Sequence, residues 1–362
     1  MAVTTVTYNG RALNTVEMGL KVSELVLPKI FAKIAYQKGY MVNDRYSADA
    51  ENSLDILIPK FGRPNGKFES IRKPASGSTN AYNPFSPTAV EATLNYDTLS
   101  VDLEYRQPIK VAEDQIVQNV IGDKVITTMV DYVAREVAEQ INYITAEALF
   151  SGAMKYASDK NSAPQYITAL TAGNKIQAID MSSSTASAPD AMAELIAKIG
   201  NADPAEGDTS FNDEKMSQVI CNSLYAKLMS TKNQFIIESS YGQEILIDGT
   251  LGRITLGDLT SYKGRILGVD TFVLPDAFFP NAANTNFDVK ATAGKVLGFM
   301  AVPEATERVF VDRGVKVTDA VDFRGWMLQP LYRVGCKSLK PWGVGVLVNE
   351  TFSYTNPEYT GE

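Results

Sequence analysis

Asp123–Phe150 reads DKVITTMVDYVAREVAEQINYITAEALF, and its period decides how the rest of the chain is to be divided. Ile126, Val130, Val133, Val137, Ile141, Ile144 and Ala148 recur at steps of four and three, the spacing of one buried helix face. Asp131, Arg135, Glu136 and Glu139 fall on the other faces, and no proline interrupts the run. At a rise of 1.5 Å per residue such a helix reaches roughly 40 Å, longer than a small domain is wide. The segment is a beam on which other parts must be hung.

Upstream of the beam the period is two. Leu54–Phe61 (LDILIPKF) reads as a strand, and alternation returns over Val90–Tyr96 and Leu99–Tyr105, with Val101, Leu103 and Tyr105 on one face. Between these strands, Gly62–Pro87 is rich in Gly, Pro, Ser and Asn and buries little. Residues 51–107 therefore form a long hairpin-like excursion with a polar tip, and a loop of that length flanked by strands is a functional one. Within it, Lys60–Pro74 holds Lys60, Arg63, Lys67, Arg72 and Lys73 against a single acid, Glu69. Residues 1–50 read as an extended arm with a short helix near Leu20–Ile34, a stretch that contains Pro28.

Downstream, a Ser-rich linker (Ser182–Ser187) precedes a helix that starts around Ala188–Asp190 and runs through Ile199. A strand at Gln218–Cys221 leads to Ser223 as a candidate N-cap for a helix ending near Ser230. Residues 233–262 carry four loop-spaced glycines, and Arg265–Leu274 reads as one strand ending at Pro275. From Lys295 the reading is mostly β: Val296–Val302, Arg308–Asp312, Met327–Val334 and Val344–Val348. Helix and strand are thus mixed in an α+β class.

Composition removes whole classes of function. With 362 residues, 45% hydrophobic and 21% charged, the chain has the makings of an ordered core spread over more than one domain. It has no histidine, which excludes Ser-His-Asp and Cys-His catalysis and the H-E-x-x-H zinc site. Cys221 and Cys336 are too few for a structural zinc site and read as two reduced thiols, with a single pair as the alternative. Asp plus Glu is 42 against 34 Lys plus Arg, a net charge of −8, so no global cationic field holds nucleic acid. No phosphate-binding loop occurs, and Gly343-Val344-Gly345 lacks a following helix, so it marks a strand rather than a dinucleotide site. Neighbouring carboxylates (Asp102 with Glu104, Glu113 with Asp114, Glu304 with Glu307) read as solvated faces. No cofactor or metal is expected, and neither a signal peptide nor a membrane span is visible. On an acidic chain, the five cations of the excursion are best explained as a contact to an acidic protein surface, above all a second copy of the chain, with a solvated loop and a nucleic-acid contact as the alternatives.

The order of these parts resembles the major capsid protein of tailed bacteriophages, the Hong Kong 97 capsid fold. The stretches that carry the resemblance are Thr98–Gln107 (TLSVDLEYRQ) running through Val111–Gln115 into the helix, and Ser217–Asn222 with its helix. Tyr262–Asp270 before Val273-Leu274-Pro275 and Asp322–Gly335 (DFRGWMLQPLYRVG) complete the set. The resemblance implies an N-arm over 1–50 and an E-loop over 51–108, then a spine helix of the peripheral domain over 109–155. It further implies an axial domain over 156–285, with 233–260 as the loop nearest the capsomer axis, and peripheral strands with a C-terminal return strand over 286–362. The implied function is a virion shell protein, made and assembled in the host cytoplasm, forming hexamers and pentamers around double-stranded DNA without sequence-specific binding and without a membrane. Implied partners are further copies of the chain and a portal at one vertex. Because the arm-like sequence starts at Met1 without a helical prefix, a separate scaffolding protein and no maturation cleavage are expected. Cross-linking of Lys60, Lys67 or Lys73 to Asn349 or Asn356, known for some relatives, has nothing in this sequence to select a pair. The rival of the same fold is an encapsulin nanocompartment, and the rival of another class is an enzyme using carboxylates or a lysine nucleophile.

Overall fold

The beam runs from Gly122 to Asp159, 38 residues, nine beyond the expected end. The computed structural model describes residues 6–8, 11–13, 15–47, 54–61, 94–101, 103–105, 108–112, 122–159, 176–182, 187–201, 215–230, 244–246, 253–255, 261–281, 291–319 and 325–354. In chain order the elements are β1 (Val6–Tyr8), β2 (Arg11–Leu13), α1 (Thr15–Lys33), β3 (Asp55–Phe61), β4 (Leu94–Ser100), β5 (Leu103–Tyr105), β6 (Ile109–Ala112) and α2, the beam. There follow β7 (Ile176–Ile179), α3 (Ser187–Gly200), β8 (Ser217–Cys221), α4 (Asn222–Ser230), β9 (Glu244–Leu246), β10 (Arg253–Thr255), β11 (Tyr262–Ile266) and β12 (Val269–Leu274). The chain closes with β13 (Ala291–Ala293), β14 (Val296–Ala301), β15 (Thr306–Asp319), β16 (Gly325–Ser338), β17 (Val344–Asn349) and β18 (Ser353–Tyr354).

The buried face of α2 follows the expected stripe through Val130, Val133, Val137 and Ile141 and then turns. Beyond Asn142, burial passes to Thr145, Ala146, Leu149 and Phe150, while Ile144 and Ala148 are only half-buried. Two rows spaced by four, 141-145-149-153 and 134-138-142-146-150-154, make a wide apolar face that packs on several elements at once. The helix continues past Gly152, a position where only glycine fits against β16: an added Cβ would come within 2.3 Å of the Ser338 side chain.

The N-terminal helix is longer than the short one expected. α1 has 19 residues and carries Pro28 inside, where the ring removes one backbone hydrogen bond. Met18, Val22, Val26 and Ile30 form a fully buried stripe at steps of four running past the proline, so tertiary packing holds what local propensity would break. α1 lies on α2 and on β15. Ser23 Oγ donates to the Gly19 carbonyl (2.9 Å) and accepts from Val315 N–H (2.7 Å), at a bulge where β15 shifts register between Asp312 and Val315.

The main sheet has the order β11-β12-β8-β14-β17-β7, with β12–β8 and β17–β7 parallel and the other pairs antiparallel. β8, β12 and β14 are buried along their whole lengths, as strands covered on both faces must be. Gly345 is indeed a strand glycine: a Cβ there would strike Leu195 of α3 at 2.6 Å. β14 joins this sheet between β8 and β17, whereas the partition at residue 285 puts it with the peripheral strands. The reason is its continuous apolar run VLGFMA, which only a doubly covered position accommodates. The second sheet is a ribbon of β15 and β16, 14 residues each, to whose free side β5 and β6 both pair.

Further boundaries differ from expectation, β15 among them, since it runs Thr306–Asp319 against an expected Arg308–Asp312. The strands expected at 90–96 and 99–105 regroup, since β4 runs unbroken through Asp97 and Thr98 opposite β3, and the chain then leaves for β16 as β5. The single strand expected over 265–274 is two strands joined by a tight turn at Leu267-Gly268.

Candidate assembly interface

The stem of the excursion is the β3–β4 hairpin, registered from Asp55↔Ser100 to Phe61↔Leu94. Alternation sends Ile56, Ile58 and Leu99 inward, where with Val101 they pack on Val309, Val311 and Leu339 of the ribbon side, a small core separate from the main one. The two backbones come close at Gly335, where a Cβ would lie 2.7 Å from the Ser100 carbonyl oxygen. Lys337 of β16 clamps the stem by donating to the Asp97 carboxylate and to the Thr98 carbonyl (2.7 Å). Ser100 Oγ donates to Asp55 Oδ1 (2.7 Å) and closes the base of the hairpin.

The outer face of the same hairpin is apolar as well. Leu57 is 62% and Tyr96 63% exposed, with Leu54 beside them at the base. The run Ile56-Leu57-Ile58 puts apolar side chains on both faces, a pattern that marks a strand covered on two sides, so the signal was present in the sequence beside the cations it overshadowed. A second apolar face lies on α1, where Val16 and Leu20, one turn apart, project away from the buried stripe. Of the five cations singled out, Lys60 is on β3 with its backbone paired to Asn95. Arg63, Lys67, Arg72 and Lys73 lie outside the described residues.

The arm is tied to the ribbon by a cross-paired joint. Asn43 N–H donates to the Thr306 carbonyl (2.9 Å) and Arg308 N–H to the Asn43 carbonyl (2.7 Å). The next residues on each strand exchange charges: Arg308, 1% exposed, binds Asp44 through Nε (3.1 Å) and Nη2 (3.0 Å), while Arg45 Nε donates to Glu307 Oε1 (2.6 Å). Arg308 Nη1 also donates to the Tyr36 carbonyl (2.8 Å), so every part of the buried fork is used. Burial pushes the Glu307 carboxyl above its ordinary value even against the pull of Arg45. The pair Glu304 and Glu307 therefore does not converge: Glu304 turns to Lys340 (3.4 Å).

One cluster has the elements of a nucleophile. Lys295 Nζ lies 3.1 Å from Ser223 Oγ and 2.8 Å from Asp276 Oδ2, and Ser223 Oγ donates to the same carboxylate (2.6 Å). The Ser223 proton is thus given to a carboxylate that also receives the Ser223 N–H (3.0 Å). Burial works against the Asp276 charge, yet the hydrogen bonds from Lys295 and Ser223 outweigh it and hold the carboxyl below its usual value. The cluster is a helix cap supplied from a distance: Ser223 sits inside the first turn of α4 rather than capping it, and Asp276 neutralises that turn's free N–H. Cys221 and Cys336 are both free thiols, and burial pushes the Cys336 thiol up to about 12. Asn349 is committed within its own chain, accepting from Lys295 N–H (2.8 Å) and donating to Thr351 Oγ1 (2.8 Å). Among the described residues no group of His, Cys, Asp and Glu forms a metal site, and no helix is long and apolar enough to cross a membrane.

No protein-family model and no curated protein matches the chain. Among solved structures it is similar to the capsid of Ralstonia phage GP4, with a TM-score of 0.54 and 9% identity over 90% of this chain and 91% of that one. It also matches a Mycobacterium phage Che8 chain (TM-score 0.48, 16% identity, 84% and 88% covered) and the capsid of cyanophage P-SCSP1u (0.47, 14%, 95% and 92%). With so little identity, the first of these likenesses speaks for the path of the backbone, and over nearly the full length of both chains that path is a phage-capsid fold.

Proposed function

We propose that this chain is the major capsid protein of a tailed bacteriophage, a shell subunit of the Hong Kong 97 type that assembles into hexamers and pentamers around double-stranded DNA. The observation that carries the reading is the overlap, over nine-tenths of both chains, with a phage capsid subunit. In this reading residues 1–50 are the N-arm, 51–108 the E-loop, α2 the spine helix, and the six-stranded sheet the axial domain, to which β14 and β17 return. The shell encloses the genome without gripping it, consistent with a net charge of −8. A scaffolding protein and a portal are its assembly partners. The likeness to phage capsids lends no weight to a nanocompartment.

Lys60, Arg63, Lys67, Arg72 and Lys73 contact acidic surfaces of neighbouring copies. Electron microscopy of the chain expressed alone and with a scaffolding gene tests the reading. Closed icosahedral particles under either condition support it, and monomers or small rings under both overturn it. Reversing Lys67, Arg72 and Lys73 to Glu tests the charged contact, with loss of shells and an unchanged urea midpoint as the expected result.

A further inference from the structure

The hairpin of β11 and β12 ends in a turn that its sequence does not favour. Leu267 has φ of +55° and Gly268 of +78°, so both central residues lie in the left-handed region, as a type I′ turn requires. Asn, Asp or Gly relieves the first of these positions; a leucine there is an outlier, because its Cβ crowds the following carbonyl. Leu267 is the one non-glycine residue at positive φ among the described residues, and it is also exposed, at 38% of its surface. Local stability asks for a polar residue on both counts. A side chain that is unfavourable for the turn and apolar toward water is accounted for when something else meets it.

The surroundings restrict what that is. β11 is an edge of the six-stranded sheet, but its register shifts between Tyr262 and Gly264, Gly264 has φ of +102°, and Lys263 is exposed. A bulge and an outward lysine close an edge to strand addition, so a partner is met by side chains at the tip and not by backbone pairing. The tip itself is held firmly. Asp270, buried, accepts from Arg265 Nε (3.0 Å) and from Tyr262 Oη (3.1 Å), and Val269 is buried beneath it. The result is a rigid apolar knob with the exposed Lys263 on its flank, Arg265 being tied to Asp270, and it is complementary to an apolar spot with a carboxylate beside it. A second copy of this chain, acidic overall at −8, fits that requirement in the sign of its charge.

We infer that Leu267 is a contact residue between copies of this chain, its strained turn retained for assembly at the expense of the subunit's own stability. The inference rests on the shell reading and adds to it a residue and a contact outside the excursion.

The test is Leu267→Asn in the full chain, with Leu267→Met as the companion that keeps the apolar bulk. Asn-Gly is the preferred I′ pair, so the urea midpoint of the unassembled Leu267→Asn subunit is expected to stay or rise. The subunit concentration needed to close shells is expected to rise about tenfold or more, the effect of losing a contact worth about 1.4 kcal/mol. Leu267→Met is expected to assemble at the wild-type concentration. If wild type forms shells and Leu267→Asn forms them at the same concentration, the inference is overturned while the shell reading stands. A fall in the urea midpoint together with assembly also overturns it, since Leu267 is then ordinary packing. If wild type itself forms no shell, the shell reading has failed and takes the inference with it.

Discussion

Two N-terminal segments are fastened to the same β15–β16 ribbon, and they are fastened differently. The arm, through α1 and residues 34–47, is locked by a buried fork: Arg308 to Asp44 and the Tyr36 carbonyl, backed by the stripe Met18-Val22-Val26-Ile30 in the main core. The excursion is held by seven buried apolar residues, with Tyr46 at their edge, and by a half-exposed lysine, Lys337. One attachment is continuous with the main core and the other is a satellite. Local opening costs scale with buried apolar contact, so the stem of the excursion opens before the arm does. This places adjustability in the stem of the excursion and rigidity in the segment that completes the core.

The comparison can be broken most forcefully at the arm. Arg308→Ala leaves Asp44 as an uncompensated buried charge and is expected to cost about 3–5 kcal/mol of global stability, read from urea denaturation. A loss confined to a few tenths of that value makes the joint no lock at all. At the stem, Ile58→Ala is expected to cost about 2 kcal/mol, the low end for such truncations because a satellite core relaxes easily. Hydrogen exchange should place that loss in the amides of β3 and β4, with α2 unchanged; equal acceleration in α2 joins the two cores into one cooperative unit. Lys337→Ala should cost below about 1 kcal/mol, as expected of a partly exposed pair, and again only in β3 and β4.

The smallest effect is a pH slope. Glu307 has its folded-state pKa raised, so the folded chain still holds that proton where the unfolded chain has released it. Its contribution to stability therefore falls as pH rises from the ordinary carboxylate value through the raised one. Glu307→Gln should remove this component from a stability-versus-pH profile. A wild-type and variant pair with parallel profiles in that window means that Arg45 fully compensates the burial.

Much of the architecture was legible because periodicity reports burial. The strands at 217–221, 296–301 and 344–349 and the helix over 187–200 stand where alternation or 3.6-residue spacing put them, within a few residues, and the beam starts where expected although it ends nine residues later. The failures share a cause, namely dependence on a distant partner. The stretch around Pro28 read as a short helix in an extended arm, but the packing of α1 on α2 and β15 carries the helix over 19 residues. Leu267-Gly268 carries no Asn or Asp to announce a turn, so two strands read as one. Ser223 suited an N-cap, but the cap is Asp276, fifty-three residues away. In the candidate interface, composition pointed to the cations and passed over the apolar run at Leu57, which the sequence did carry, and over Tyr96, Val16 and Leu20, whose exposure becomes visible only once the opposite faces are known to be buried.

By itself, then, this sequence determined the mixed α+β class, the lengthwise order of arm, excursion, beam and sheet, and the absence of any histidine chemistry, because composition and short-range period are local properties. The tertiary structure alone decided which strands share a sheet, that β14 and β17 flank one another beside β8, and that Asp44 and Arg308, 264 residues apart, meet in the core. Those choices depend on which apolar faces find one another, and no stretch of the chain carries that information without its partner.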